Sequence, residues 1–497
     1  MTTPLSMSRV VATAETLGQG AADSHRFAQK RVLLTGEAPV LATPNGRVCL
    51  LSSLRLLVRI SRDVTVALPG GLDVLERECR VVAEGIAFGG QPVRFVPASG
   101  RGVGDYDAVL SVGTLARPGE PWTVIHADGW LARVSSGARD LPAPGVAANP
   151  IAALAAACLG TGEVFKRLIG LKPERGALLD GVSWSLYSYA LTAQETGPAL
   201  PAVIETDLLV VGAGAIGNGL LYLLGELPCR GRVSVVDGQA YGEENLGTCL
   251  LIGPGEVGTA KALFGERVLQ GRLAARGFVE KLDRFAERLG TEVPHPKVVL
   301  AGLDNIEARH AVQDLWPDLA IDGAIGPFLC QVGRHPFEGD VGCLRCVFRE
   351  PPGEAAEVHG SRASGLAATR VADAETLVAE GDVLAAPPEK RAWLAERVGR
   401  PVCSVVQEAI AVEISSAPTP RFSPSVPFVA CLSACMVASE FVKAAAGWRT
   451  MAEPRVQFDL LRGPASVMTI EQVRRRSCLC VERRANIERL RARRTET

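Results

Sequence analysis

The sequence has few aromatic residues and almost no net charge. Only 5% of its 497 residues are Phe, Trp or Tyr, whereas 47% are hydrophobic, so Ala, Val and Leu must fill most of the core. The 53 Lys and Arg residues are balanced by 54 Asp and Glu residues, and a formal net charge of -1 gives no general attraction to nucleic acid. A chain of this length has room for about two to four domains.

The sequence also lacks the signals of export and of membrane insertion. Its start has no basic segment followed by an apolar one, which is the pattern of a signal peptide. The 13 cysteines are odd in number and scattered, unlike a secreted disulfide framework. The apolar stretch 208–224 is interrupted by Gly212, Gly214 and Gly217, which argues against a membrane helix. We therefore expect a cytoplasmic protein without nucleic-acid or membrane partners.

Residues 207–237 carry the most informative pattern. An apolar run at 208–211 leads into Gly212, Gly214 and Gly217, then into a leucine-rich helical pattern and a second apolar strand. This is the β-α-β unit of a nucleotide-binding sheet. The first glycine permits a tight turn, the second lets the backbone approach a phosphate, and the third lets helix and strand pack closely.

The residues around this glycine turn complete a predicted nucleotide site. The start of the helix, with Ala215 and Ile216, would face the phosphates, because a helix N-terminus attracts anions. Asp237, which closes the second strand, can accept hydrogen bonds from ribose hydroxyls. This unit by itself fits NAD as well as ATP.

Polar residues farther along favour ATP. An enzyme in which a carboxylate attacks the α-phosphate of ATP has a use for Asn245 and Lys261, which neutralise phosphates, and for Asp304, which holds magnesium. Asn305 and Arg309 follow Asp304 directly. A dehydrogenase requires none of these residues.

The order of these motifs resembles the ThiF, MoeB and ubiquitin-activating enzyme superfamily over roughly residues 205–482. The resemblance implies that ATP and magnesium are used to adenylate the C-terminal glycine of a ubiquitin-like protein or a small peptide. It gives Lys261, Asp304 and Arg309 roles in the chemistry. One departure is Thr248, since many members read Asn-Leu-x-Arg where this chain reads Asn-Leu-Gly-Thr. The family also supplies an arginine from its partner's N-terminal helix, for which Arg26 and Arg31 are candidates.

The chain contains an internal similarity between residues 157–170 and 434–447. Both segments are rich in small residues, contain Glu-x-x-Lys, end in glycine and precede a similar strand. Chance similarity between two such helices is the alternative. We predict an α/β protein with two Rossmann-like ThiF-type halves arranged as a pseudo-dimer, which would let a monomer suffice. The first half, 1–200, would be inactive, and the second half, 201–497, would carry the adenylation site.

The first half shows its own alternation of strands and helices. Strands are predicted at 64–68, 93–96, 108–112 and 123–126, with a helix at 74–85. The strand at 64–68 is followed by Pro-Gly-Gly-Leu, a poor substitute for a glycine fingerprint. We therefore expect no ATP site in this half.

Four cysteines suggest a structural metal site. Cys343 and Cys346 form a CxxC pair, and Cys478 and Cys480 form a CxC pair. Four thiolates hold zinc tetrahedrally, and a fold can bring distant pairs together. Family members have two CxxC pairs, so the shorter second pair is a departure, and free thiols are the alternative.

Cys403 is the candidate nucleophile, in a segment at about 350–430. Its context, Pro-Val-Cys-Ser, resembles the PxC(T/S) element that forms the thioester in ubiquitin-activating enzymes, and thiolates suit this exchange. A buried cysteine on an apolar strand at 402–406 is the alternative, with Cys330 and Cys431 as the next nucleophile candidates.

The resemblance implies a ubiquitin-like protein and a conjugating enzyme as partners and, for a bacterial version, antiviral defence. Other functions left open are adenylation without a thioester, an NAD-dependent oxidoreductase, and a noncatalytic nucleotide-binding scaffold.

Overall fold

The computed structural model describes residues 5–18, 26–88, 92–97, 103–303, 305–326, 328–348, 356–372, 376–402, 405–406, 409, 425–448 and 454–495. The chain forms two compact units. One comprises Met1–Phe348 with Pro424–Thr497, and the other comprises Arg349–Ser423. The first unit contains two sheets.

The first sheet contains strands β1 Arg31–Gly36, β2 Asp63–Leu68, β3 Arg94–Pro97, β4 Ala108–Val112, β5 Trp122–Asp128, β6 Leu131–Ser135 and β7 Val182–Ser185. Their order is β3-β2-β1-β4-β5-β6-β7, with β1 to β5 parallel and the last two antiparallel. The four predicted strands are β2 to β5. Sequence reasoning missed β1, which is the true first strand, and Glu37 rather than a glycine fingerprint follows it.

The second sheet contains strands β8 Ile204–Val211, β9 Cys229–Val236, β10 Ala274–Phe278, β11 Val298–Gly302, β12 Leu319–Ile325, β13 Leu329–Pro336, β14 Arg455–Asp459 and β15 Met468–Ile470. Its order, β10-β9-β8-β11-β12-β13-β14-β15, repeats that of the first sheet and adds one strand. Strands β8 to β12 are parallel and the rest antiparallel. Parallel strands covered on both faces explain the nearly continuous apolar runs in the sequence.

Helices of the first unit are α1 Ser8–Leu17, α2 Ala38–Leu41, α3 Pro44–Leu57, α4 Asp73–Ile86, α5 Pro150–Ile169, α6 Ala215–Glu226, α7 Lys261–Leu269, α8 Leu282–Ala286, α9 Ile306–Asp314 and α10 Leu344–Val347. The second unit contains α11 Ala356–Ser364, α12 Ala368–Ala372, α13 Glu380–Ala385 and α14 Pro388–Ala395. The first unit ends with α15 Pro427–Ala445, α16 Leu479–Glu482 and α17 Arg484–Thr495.

Helices α5 and α15 pack against each other between the two sheets. Their small residues allow this close contact, and Cys158 of α5 lies beside Cys431 and Cys435 of α15. Each helix buries the ion pair of its Glu-x-x-Lys sequence, at 2.6 Å between Lys166 Nζ and a Glu163 oxygen in α5 and at 2.8 Å in α15. Helix α15 is long and apolar enough to cross a membrane, but it is largely buried inside the protein.

The second unit has its own small core. Leu366, Val378, Leu394 and Val402 are buried in it. Arg370 binds the Asp382 carboxylate with Nε and Nη2 at 2.8 and 2.9 Å. A core of this size suits a small appended domain.

Candidate functional site

The glycine turn joins β8 to α6, as the β-α-β pattern predicts. Gly212 has φ +83°, and a Cβ there would lie 2.9 Å from the Gly302 carbonyl oxygen. A Cβ on Gly217 would lie 1.9 Å from the Gly212 carbonyl oxygen, so only glycine lets the helix approach the turn. A Cβ on Gly214 would meet nothing within 4 Å. The turn is therefore open to a ligand at Gly214, while Ala215 and Ile216 form the first turn of α6.

Asp237 connects this turn to the segment that follows β9. One carboxylate oxygen accepts a hydrogen bond from Ala213 N at 2.8 Å, and the other accepts one from Gln239 N at 2.8 Å. Each carboxylate oxygen has a second lone pair, so the group retains acceptor capacity for a ribose hydroxyl. Sequence reasoning missed Gln239, although it stands only two residues beyond Asp237.

Lys261 begins α7 and is 6% exposed. Its ammonium Nζ lies 2.8 Å from Gln239 Oε1 and 5.8 Å from the centre of the Tyr241 ring. Within the described ranges it forms no ion pair with a carboxylate. Burying a cation beside a neutral partner is costly unless an anion completes the site. Lys261 is therefore suited to a phosphate.

Asn245 is 8% exposed and lies in a short 3₁₀ turn, Glu243–Asn245. Its side-chain oxygen accepts a hydrogen bond from Gly242 N at 2.9 Å. The oxygen is thus used in the turn, and the amide N–H groups are the donors that a phosphate would require. Thr248, where the family often has arginine, is buried, with its hydroxyl 3.4 Å from the Asn245 carbonyl oxygen.

Asp304 lies outside the described residues, but both sides of its loop are held. Asn305 caps α9, its side-chain oxygen accepting from Ala308 N at 2.8 Å. Arg309 is buried and donates from Nη2 to the Leu303 carbonyl oxygen at 2.5 Å. This geometry favours Arg309 as a support of the loop rather than as a direct phosphate ligand.

The N-terminal segment contacts the same site. A Cβ on Gly247 would lie 2.2 Å from the Ser6 carbonyl oxygen and 3.7 Å from a methyl group of Val10. Arg9 stands between these two positions in α1. Arg31 is instead at the start of β1, where its backbone N binds Asp107. Arg9 is therefore a further candidate for the arginine from the first half, beside Arg26, and spacing alone did not reveal it.

The corresponding crevice of the first sheet is filled. Glu37 follows β1, and one of its carboxylate oxygens accepts from the backbone N–H groups of Thr114 and Leu115, both at 2.9 Å. The other oxygen lies 3.1 Å from the Thr114 hydroxyl. The protein's own carboxylate thus occupies the donors at this crevice.

The four predicted metal-ligand cysteines come together. Their sulfur atoms all lie within 4.8 Å of one another, with separations of 3.8 Å for Cys343–Cys346, 3.7 Å for Cys343–Cys478 and 3.5 Å for Cys346–Cys480. Zinc–sulfur bonds of about 2.3 Å place tetrahedral sulfurs about 3.8 Å apart. The shorter CxC pair therefore allows all four sulfur atoms to approach one metal ion, although it departs from the two CxxC pairs of the family.

Hydrogen bonding among these thiols shifts their pKa values in opposite directions. Hydrogen bonding with Cys346 raises the pKa of Cys343 far above its usual range, whereas the thiol of Cys343 and its neighbours lower the pKa of Cys346. Without a cation the cluster keeps protons on some thiols to stabilise one thiolate. A zinc ion would stabilise all four thiolates. The cluster fits a structural zinc site with no open position.

Cys403 lies outside the described residues. Beside it, Val402 N donates to the Thr376 carbonyl oxygen at 2.9 Å, and Val402 and Val405 are buried. The described residues of 402–406 are helical, so the alternative of an apolar strand is wrong for them. All twelve cysteines of the described ranges, Cys330 and Cys431 among them, are buried.

The fold and the open glycine turn define a nucleotide-binding α/β protein. Residues 194–480 match the model of the ThiF family, and residues 31–186 match that of the BilD N-terminal domain. The first match spans more than half of the chain, which therefore belongs to the ThiF family.

The individual proteins that resemble this chain have low sequence identity to it. The uncharacterized protein y4jF of Sinorhizobium fredii is 28% identical over 359 residues, which are 68% of each chain. The crystal structure of E. coli MccB with ATP has a TM-score of 0.36 at 13% identity. The structure of the microcin C7 biosynthetic enzyme MccB in complex with N-formylated MccA has a TM-score of 0.34 at 14% identity. These matches cover 55% and 56% of this chain and 66% and 67% of the MccB chains.

Proposed function

We propose that this chain uses ATP and magnesium to adenylate the C-terminal carboxylate of a ubiquitin-like protein or a peptide. The carboxylate attacks the α-phosphate, an acyl–adenylate forms, and pyrophosphate leaves. The observation that carries this proposal is the buried Lys261 ammonium, which has a neutral amide rather than a carboxylate as its described hydrogen-bond partner. The transfer of a hydride to or from a nicotinamide does not itself require this cation.

The residues around the glycine turn have separate roles in binding ATP and magnesium. The ribose binds Asp237, while the phosphates lie over Gly212, Gly214 and Gly217 at the start of α6. Asn245 donates hydrogen bonds to the phosphates, Lys261 offsets their charge, and Arg9 adds a cation from the first half. Magnesium on Asp304 would stabilise the charge of the leaving pyrophosphate. Asn305 and Arg309 hold the loop that carries Asp304.

The first half acts as the inactive member of a pseudo-dimer. The shared strand order and the matching Glu-x-x-Lys pairs of α5 and α15 support a common origin of the two halves. Glu37 satisfies the donors that a phosphate would need in the first sheet. The first half contributes α1 to the site of the second instead.

The Cys403 thiolate then attacks the carbonyl carbon of the acyl–adenylate, a thioester forms and AMP leaves. A conjugating enzyme would accept the acyl group from this thioester. The Pro-Val-Cys-Ser context of Cys403 supports this choice, and the twelve cysteines of the described ranges are buried. Burial raises the pKa of Cys79 to about 12 and that of Cys249 to about 11, which leaves little thiolate. Adenylation of a sulfur-carrier protein or peptide without this step is the second candidate function.

ATP–pyrophosphate exchange with candidate carrier proteins tests the proposal. Lys261→Ala should lower exchange by ~10²–10³, because a group that stabilises transition-state charge is lost. Lys297→Ala is the matched control, since Lys297 is exposed and immediately precedes β11, at the opposite edge of the sheet. Equal activity of the two variants would contradict the proposal.

A further inference from the structure

A buried run of polar contacts begins at the four-thiol cluster. His335 of β13 and Asp322 of β12 are 1% and 3% exposed, with Nε2 and Oδ1 2.6 Å apart. The other ring nitrogen, Nδ1, lies 3.0 Å from the Gly342 carbonyl oxygen, and Cys343 is the next residue. The histidine therefore contacts the turn that carries the first two thiols.

The same run ends at the loop of Asp304. Asp322 Oδ2 lies 3.8 Å from Arg309 Nε, and Arg309 Nη2 donates to the Leu303 carbonyl oxygen. Leu303 immediately precedes Asp304. The contacts thus lead from Gly342 through His335, Asp322 and Arg309 to the proposed magnesium loop.

Packing fixes the central pair. A Cβ on Gly333 would lie 2.5 Å from Asp322 Oδ1 and 2.9 Å from His335 Nε2, so only glycine leaves room for them. Both ring nitrogens of His335 face acceptors, which holds the ring in one orientation. A buried hydrogen-bonded pair of polar side chains often stabilises a fold no more than apolar residues of equal size would. We therefore look for the role of Asp322 and His335 in their fixed geometry rather than in their contribution to stability.

We propose that Asp322 and His335 are positioning residues that couple metal retention in the four-thiol cluster to nucleotide binding at the Asp304 loop. When the thiols are drawn together on a metal, the Gly342 carbonyl is fixed and orients His335. His335 holds Asp322 toward Arg309, which secures Leu303. This inference rests on the proposed ATP site. Coupling of this kind is reciprocal, so bound ATP must also strengthen metal retention.

The test measures the rate at which the zinc-loaded full chain loses zinc to a chelator, with and without ATP and magnesium. Bound ATP should slow the release of zinc from wild type by a factor of about 5 or more. A factor of about 5 is the lower end of typical allosteric couplings. His335→Gln and Asp322→Asn should keep zinc and still bind ATP, but with the ATP effect on release largely lost. His126→Gln is the matched control, because His126 is equally buried, lies in the first sheet and binds a carbonyl oxygen at 2.8 Å.

Each other result has a definite meaning. If ATP raises the melting temperature of wild type but leaves zinc release unchanged, the coupling is absent and this inference fails while the proposed function stands. If neither variant differs from His126→Gln, the pair is not the connection. Variants that lose zinc even without ATP would show a purely structural role. A wild type that binds no ATP, or no zinc, would overturn the inference at its base, and failure to bind ATP would also overturn the proposed function.

Discussion

The Glu37 carboxylate lies 2.9 Å from Thr114 N, in the crevice of the first sheet that corresponds to the open glycine turn of the second. An internal carboxylate on these donors excludes a phosphate by charge repulsion and by occupancy. Calorimetric titration should therefore give one ATP per chain, and Lys261→Ala should leave no residual tight site. A second equivalent of ATP that survives this substitution would show that the first half binds nucleotide.

The choice of nucleotide is tested by thermal unfolding. A ligand that binds the folded state alone raises its stability, by about 2.7 kcal/mol at a concentration 100 times its Kd. ATP with magnesium should therefore raise the melting temperature, and NAD should not. Lys261→Ala should reduce the ATP shift, because the buried cation is removed. A shift with NAD and none with ATP would favour the oxidoreductase alternative.

Zinc content tests the thiol cluster. Purified protein should contain about one zinc per chain, and Cys343→Ser should lose the metal and much stability, because the energy of structural zinc binding contributes directly to folding. Cys229→Ser is a suitable control, since Cys229 is also buried but lies in β9, outside the cluster. Wild-type protein that is free of metal and fully stable would refute the site.

Cys403→Ala separates thioester formation from adenylation. The variant should retain ATP–pyrophosphate exchange but lose the carrier adduct that reducing agent cleaves on a gel, because only the second step needs the thiolate. Asp304→Ala should lose both activities. Cys330→Ala should keep both, since Cys330 is buried and burial raises the pKa of its thiol far above the usual range. If Cys403→Ala keeps the adduct, another cysteine is the nucleophile; if wild type forms none with its true carrier, adenylation alone remains.

Arg9 is the predicted source of the missing phosphate-site arginine. Arg9→Ala should lower pyrophosphate exchange by ~10²–10³, a typical cost of removing one electrostatic stabiliser. Arg26→Ala and Arg31→Ala, the other two candidates of the N-terminal region, should stay near wild type. A loss of exchange in Arg31→Ala with none in Arg9→Ala would reverse this assignment.

The sequence by itself determined the β-α-β unit at Gly212–Gly217, the alternation of strands in both halves and the family. These features are local, because glycine spacing and apolar runs are direct consequences of backbone sterics and burial. Four strands of the first half were predicted, but β1 was not. Its apolar run is only Val32 to Leu34 and is followed by Glu37, whose partners Thr114 and Leu115 stand far away in the sequence.

Only the tertiary structure decided the distances between remote groups. It brings Cys346 and Cys480 to 3.5 Å across 134 residues, so the CxC spacing proves compatible with a metal. It places α1, and with it Arg9, against Gly247, and it joins Asp322 to His335. Such contacts join residues that are far apart in the sequence. They depend on how whole sheets and helices pack, so no local sequence pattern predicts them.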